Sequence, residues 1–173
     1  LAAGLPPVDT ATSRAQRVFL AAALEMLYVA HNVHKLLLNP DAETMDKSLM
    51  GSTILAGDYC FSHSADLAVK TNNAMVVRLF SEALKRVSEG NIRDRFQDVE
   101  SFNENIELFT SGLRAAAELT STGPLQRNDA LSVATRLTEC FMRQAVADDE
   151  LLASFPAHQD ARWQELLASW QTT

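Results

Sequence analysis

Apolar residues recur along this sequence at the three- and four-residue intervals of an α-helix. No stretch shows the sustained alternation of apolar and polar residues that is typical of a strand. The clearest stripe lies within residues 73–96 and comprises Met75, Val76, Leu79, Phe80, Ala83, Leu84 and Val87. The pattern predicts an all-α protein, built as an antiparallel bundle of helices.

Breaks in the pattern divide the chain into about six helices. Residues 1–10 are loop-like because they contain Pro6-Pro7, and Asp9 or Thr10 can cap the helix that follows. The first helix should end before Asn39-Pro40, since a residue that precedes proline disfavours the α conformation. The predicted helices cover about 11–38, 49–70, 73–96, 99–121, 129–155 and, within a short C-terminal segment 156–173, 160–170.

Length and composition narrow the class of protein. A chain of 173 residues can bury a sizeable core, so we expect one helical domain over 1–173. Its net charge of −7, without a basic cluster, argues against a nucleic-acid partner, and its apolar runs are too short to span a bilayer. Cys60 and Cys140 lack a nearby cysteine, which predicts buried thiols in a reducing, cytoplasmic setting. The chain begins without methionine or a signal-like segment, so we expect it to be part of a longer protein.

The first predicted helix carries the most informative motif. Residues 25–34, EMLYVAHNVH, are followed by Lys35-Leu36-Leu37-Leu38-Asn39. The segment resembles the helix of trans-isoprenyl diphosphate synthases that ends in D-D-x-x-D, whose aspartates hold Mg²⁺ against the allylic diphosphate. Mg²⁺ sites rely on carboxylate oxygens, which lysine and leucine do not supply. The resemblance therefore implies a related fold that has lost its first metal site.

Two further helices extend this resemblance. Residues 54–61, ILAGDYCF, are similar to the family's I-L-A-G-D-Y-L-L segment. Read without the family, Gly57 allows a neighbouring helix to approach closely, and Asp58 needs a polar partner. Residues 106–119 are similar to the family's K-T-A-x-L-F segment, with Thr110 at the threonine and Phe109 in place of the lysine. That replacement removes a cation that would contact a diphosphate.

The fifth predicted helix resembles the family's second aspartate motif less closely. Asp148 and Asp149 match the aspartate pair, but Leu152 or Ala153 stands where the last aspartate belongs. Because adjacent residues on a helix point about 100° apart, a solvated helix end is the favoured interpretation, and the two aspartates are weak metal candidates. His31 and His34, with His63, form a second weak candidate for a metal site. The favoured interpretation is that these histidines are packed against neighbouring helices or face a cleft.

The resemblance covers about residues 18–152 and implies several functional residues. Tyr28, Ala30, His31, His34 and Thr110 would line the substrate cleft or elongation tunnel. In the family, a small residue at the position of Ala30 leaves the tunnel open, and Tyr28 could still obstruct it. The family's K-R-x-R-P and R-R-G-x-x-T segments have no counterpart in this sequence, which removes further cations that bind diphosphates.

These losses favour a non-catalytic, regulatory or small subunit of a heteromeric polyprenyl diphosphate synthase in isoprenoid biosynthesis. We expect no cofactor in this chain, Mg²⁺ in a catalytic partner subunit, and contact with a prenyl diphosphate tail. One alternative is a divergent active prenyltransferase that uses Asp148, Asp149 and Glu150 with the histidines. Another is a structural, homodimeric helical module.

The third helix and Gly57 are the predicted contacts with the catalytic partner or with a second copy. The apolar stripe of the third helix is wider than one core contact needs, and in the family this helix pair forms the subunit interface. The alternative is that the stripe fills the chain's own core. The interface candidates are Gly57, Met75, Val76, Leu79, Phe80 and Ala83.

Overall fold

The computed structural model describes residues 2–4, 6–37, 46–96, 102–120, 125–143 and 149–171. Within these ranges there is no strand, which confirms the prediction of an all-α protein. In the described part of the chain, two short 3₁₀ turns, Ala2–Gly4 and Ala157–Gln159, accompany seven α-helices. The helices are α1 Ala11–Leu36, α2 Lys47–Val69, α3 Ala74–Phe96, α4 Glu104–Ala117, α5 Arg127–Arg143, α6 Asp149–Ala153 and α7 Asp160–Gln171.

Local sequence explains where α1 begins. Thr10 is the cap residue: its side chain accepts a hydrogen bond from the Ser13 backbone N–H (3.1 Å), and its own N–H donates to Ser13 Oγ (2.8 Å). This reciprocal pair is a capping box and satisfies two backbone groups that would otherwise lack partners. Asp9, the alternative cap, instead binds the guanidinium groups of Arg14 and Arg17.

Other helix boundaries differ from the sequence prediction. Asn103 caps α4, so that helix begins at Glu104 rather than near residue 99. The predicted fifth helix, 129–155, corresponds in the described residues to α5, Arg127–Arg143, and α6, Asp149–Ala153. Residues 144–148, which include Asp148, lie outside the described ranges, and nothing is described of the Asp149 side chain either.

Consecutive long helices run antiparallel. In the α1–α2 pair, Gln16 near the start of α1 reaches the Thr71 carbonyl just after α2, whereas His34 near the end of α1 contacts Asp58. α3 and α4 are joined at one end through Asn73 and the Glu118 carbonyl. The core between these helices combines small and large buried residues: Leu20, Ala23, Leu27, Ala68, Val76, Leu79, Phe80, Ala115 and Ala116.

α2 buries only small side chains, namely Gly57, Ser64 and Ala68. At Gly57 the imidazole ring of His34 occupies the space that a Cβ would need. The expected close helix approach at this glycine is confirmed, and the approaching helix is α1 of the same chain. Asp58 also has the polar partner that it needs, because its Oδ1 lies 3.3 Å from His34 Nε2.

The apolar stripe of α3 faces the chain's own core, contrary to the expectation that a partner covers it. Val76, Leu79, Phe80 and Ala83 are all buried by α1, α2 and α4. Met75, at the edge of the stripe, remains 36% exposed. The physical reason is that α3 lies between α2 and α4, and both neighbours need an apolar face to pack against.

The structure bears on two further expectations, one about membrane-spanning helices and one about the burial of the cysteines. None of the described helices is both long and apolar enough to cross a membrane. Cys140 is buried, as predicted, whereas Cys60 is only partly buried.

Candidate functional site

A cavity of about 420 Å³ lies between α1 and α4 and is bounded further by the N-terminal 3₁₀ turn, α5 and α7. Along α1 its wall consists of residues three to four positions apart, which places them on one face of the helix. Gly112 of α4 keeps this wall close, since a Cβ there would lie 3.1 Å from Leu24 Cδ1. The principal apolar wall residues are Leu20, Leu24, Leu108, Phe109, Leu113 and Ala116.

Few polar groups line the cavity, and none of the described ones offers a free positive charge. Arg17 is buried and binds Asp9 through both terminal nitrogens, at 2.8 and 3.1 Å. This hydrogen bonding holds the pKa of the Asp9 carboxyl well below its usual range, so at neutral pH Arg17 faces an ionised carboxylate, which it shares with Arg14. Glu25 is exposed at the wall, and Tyr28 and Asn105 contribute uncharged polar atoms. The cavity therefore suits an apolar ligand better than an anionic one.

Beyond Tyr28, the last turns of α1 meet the first residue of α4. Lys35 forms an ion pair with Glu104, and His31 Nε2 lies 3.4 Å from Glu104 Oε1. We call these three residues the end cluster. Burial, assisted by the positive charges of Lys35 and His34, lowers the pKa of His31 from 6.5 to about 4. Although the Glu104 carboxylate is close, the loss of hydration dominates, so His31 is neutral at pH 7.

The end cluster does not resemble a metal site. Within the described ranges no group of three or more His, Cys, Asp or Glu side chains can hold a metal ion. His63, the third member of the proposed histidine trio, stacks on Tyr59 with ring centroids 5.7 Å apart. The aspartate candidates Asp148 and Asp149 lie among the residues whose side chains are not described.

The structure separates the predicted cleft residues into three groups. Tyr28 lines the cavity, together with Phe109, which was not one of the predicted cleft residues. His31 and His34 lie beyond its end, in contact with Glu104 and Asp58 respectively. Ala30 and Thr110 are fully buried and do not line it. The Thr110 hydroxyl donates to the Ile106 carbonyl of its own helix at 2.6 Å, a common use of threonine inside helices.

Sequence reasoning missed Glu104, which neutralises Lys35 at the end of α1. The two residues are 69 positions apart, and no local pattern connects them. The only sequence signal is weak: Glu104 follows the cap residue Asn103, and acidic residues are favoured in the first turn of a helix.

In chemical terms, this region is an apolar cavity that ends near a neutral histidine and a compensated ion pair. Such an arrangement can bind and shield an apolar group, while the side chains described here offer no ligand set for Mg²⁺. No protein-family model matches the chain, and neither characterised proteins nor solved structures include a significant match.

Proposed function

We propose that this chain is a non-catalytic, regulatory subunit of a heteromeric polyprenyl diphosphate synthase. The observation that carries the proposal is the end cluster. At the point of α1 where the similar family has its first aspartate pair, this chain has Lys35 bound to Glu104 beside a neutral His31.

Elementary electrostatics explains why such an end cluster would not support prenyl transfer. A divalent cation gains most of its binding energy from ionised carboxylates, and it is repelled by an ammonium group at the same place. Glu104 is the nearest carboxylate, but its charge is already compensated by Lys35. Mg²⁺ therefore does not fit these residues, and we assign the metal and the transfer step to a catalytic partner.

The cavity supports the second part of the proposal, an interaction with the prenyl tail of the partner's substrate or product. Its volume of about 420 Å³ lies within the range of small-ligand pockets. An apolar chain is stabilised by roughly 25 cal/mol for each Å² removed from water. Phe141 lines the cavity and is partly exposed, so the cavity reaches the surface where a partner could continue it. In this role the subunit would influence the partner's activity or product length.

The decisive experiment compares the purified chain alone with the chain mixed with a candidate catalytic synthase. The isolated chain should not consume an allylic diphosphate with isopentenyl diphosphate and Mg²⁺. Adding it to the catalytic subunit should change the turnover or the length of the product. Robust turnover by the isolated chain would instead favour the divergent enzyme with an altered metal site.

A variant sharpens this test. Replacing Lys35 by Asp, Leu36 by Asp and Asn39 by Asp reintroduces carboxylates, yet it should leave the isolated chain inactive. The reason is that other diphosphate-binding cations are also absent from the sequence, and positioning of both substrates supplies much of the catalysis. Recovered turnover in this triple variant would contradict the proposal.

A further inference from the structure

The cavity is elongated, because it follows α1 and α4, which run antiparallel. The end cluster joins the end of α1 to the start of α4, while Leu20, in the first half of α1, shares a buried cluster with Ala116 near the end of α4. Arg17 and Tyr28 both line the cavity, and the axis of α1 rises by about 16 Å between them. An apolar chain that fills the cavity therefore has one end near Tyr28 and the other near Arg17.

The two ends of the cavity differ in access. Phe141, which lines the cavity and is partly exposed, contacts Phe109 with ring centroids 6.4 Å apart. Phe109 lies nearer the start of α4, which is the end of the cavity that contains Tyr28. At the opposite end the wall is formed by Ala3 and Gly4 of the N-terminal 3₁₀ turn, and Gly4 is buried. A ligand that enters beside Phe141 therefore reaches the N-terminal turn last.

Hydrogen bonding and packing hold the N-terminal turn in place. The carbonyl of Ala3 accepts a hydrogen bond from Gln159 Nε2 at 3.1 Å. Gln159 is only 2% exposed, and its Oε1 accepts from Trp163 Nε1 at 3.3 Å, so it is fixed between the turn and α7. The Ala3 side chain packs against two buried clusters, one formed by α1, α3 and α4 and the other mainly by α4, α5 and α7. The turn is therefore a fixed wall of the cavity.

Small residues allow the turn to lie this close to α1. A Cβ added at Gly4 would lie 3.1 Å from Cγ and Cδ of Arg17, which is a tight contact. Arg17 is held in place, since both of its terminal nitrogens bind Asp9. Asp9 directly precedes the Thr10 cap, so the chain between the turn and α1 is tied to the same arginine. The size of the side chains at Ala3 and Gly4 therefore decides how deep the cavity is.

We propose that Ala3 and Gly4 are specificity-determining residues, which limit the length of the prenyl chain that the cavity accepts. The inference rests on the proposed function, in which the cavity receives the prenyl tail of a partner's substrate or product. Each added isoprene unit removes more apolar surface from water, and it raises the affinity only while it still fits. Once the tail reaches the N-terminal turn, further units stay outside the cavity and the affinity stops rising.

A series of prenyl alcohols of increasing length tests this limit by isothermal titration calorimetry with the full chain. Farnesol should bind about tenfold more tightly than the shorter geraniol, whereas the longer geranylgeraniol should bind no more tightly than farnesol. A further tenfold gain with geranylgeraniol would overturn the inference but not the proposed function, because the tail would then bind without a limit at the turn. Absence of binding for all three alcohols would instead reject the tail contact of the proposed function, and the inference with it.

A larger side chain in the turn should shorten the accepted chain. Ala3→Leu takes up space at the end of the cavity, so farnesol should bind about tenfold more weakly while geraniol keeps its affinity. Ala157→Leu is the matched control, since Ala157 is exposed in the other 3₁₀ turn and does not line the cavity. Equal farnesol affinity in the wild type and in Ala3→Leu, with unchanged circular dichroism, would contradict the inference.

Nuclear magnetic resonance of the unmodified chain gives a second test, which does not depend on the folding of a variant. The backbone N–H signal of Gly4 should shift when farnesol is added but not when geraniol is added, because only the longer chain reaches the turn. Gly51 is the control, since it has open space around it and does not line the cavity. Equal shifts of the Gly4 signal with both alcohols, or a shift with neither, would reject the length limit at this turn.

Discussion

α1 and α2 are antiparallel neighbours of similar length, but they place their large side chains in opposite ways. α1 directs Leu20 and Leu27 into the core and lines the cavity with Leu24 and Tyr28. α2 buries glycine, serine and alanine, packs Phe61 and Leu67 partly against the core, and leaves Leu55, Tyr59 and Val69 exposed. The difference teaches that two neighbouring helices can contribute unequally to one core: α1 fills it with leucine, whereas α2 approaches it mainly through small residues.

The largest expected effect contrasts a buried leucine of α1 with an exposed leucine of α2. Leu27→Ala should lower the free energy of unfolding by about 2–5 kcal/mol, because Leu27 is fully buried and its truncation leaves a cavity. Leu55→Ala should change it by less than about 0.5 kcal/mol. Urea unfolding measures both values. Equal losses for the two variants would remove the distinction between the helices.

A substitution that fills the cavity should weaken ligand binding while the chain remains folded. Ala21 lies on the cavity wall of α1, so Ala21→Phe should weaken the binding of a neutral apolar ligand such as farnesol about tenfold, or about 1.4 kcal/mol. Isothermal titration calorimetry measures the affinity, and Leu55→Ala serves as a control, since Leu55 is exposed on α2 and does not line the cavity. Unchanged affinity in Ala21→Phe, with weaker binding in Leu55→Ala, would move the ligand from the cavity to α2.

The buried histidine at the end of α1 should make stability depend on pH. The pKa of His31 is lowered by burial from 6.5 to about 4, so between these values the unfolded chain binds a proton that the folded chain does not. The free energy of unfolding should therefore fall as the pH drops from about 6.5 to 4, by about 1 kcal/mol once solvent screening is allowed for. Urea unfolding across this range measures the slope, and His31→Gln should flatten it. Asp9 and Asp66 titrate below this window and do not contribute to it.

A substitution at the contact between α1 and α2 should have the smallest effect on the free energy of unfolding. In Gly57→Ala the new Cβ must displace the His34 ring, which costs about 0.5–1 kcal/mol because the ring can swing outward and lose Asp58. Gly51→Ala on the same helix is the control. It has open space around it and should be neutral or stabilising by roughly 0.5 kcal/mol through helix propensity. Guanidinium unfolding compares the stability of the two variants. In a His34→Ala background, Gly57→Ala should no longer lower the free energy of unfolding.

Local patterns accounted for the all-α class and the Thr10 cap, because each depends on residues near one another in sequence. Gly57 indicated a close approach, but only the structure shows that His34 of α1 makes it. The prediction that Thr110 faces a cleft was wrong, since its hydroxyl binds its own helix and the residue is buried. The expectation that the α3 stripe faces a partner also failed for the interface candidates Val76, Leu79, Phe80 and Ala83, which the chain's own core buries. Periodicity reports that a face is apolar but not which neighbour covers it.

The sequence by itself determined the helical class, most helix positions and the absence of carboxylates at the end of α1. These properties follow from spacing, capping and residue type. Only the tertiary structure decided that Lys35 meets Glu104, that α1 and α4 enclose a cavity, and that α2 approaches α1 through Gly57 while Leu55, Tyr59 and Val69 stay exposed. Those features depend on contacts between residues far apart in the chain, which form only when the helices pack.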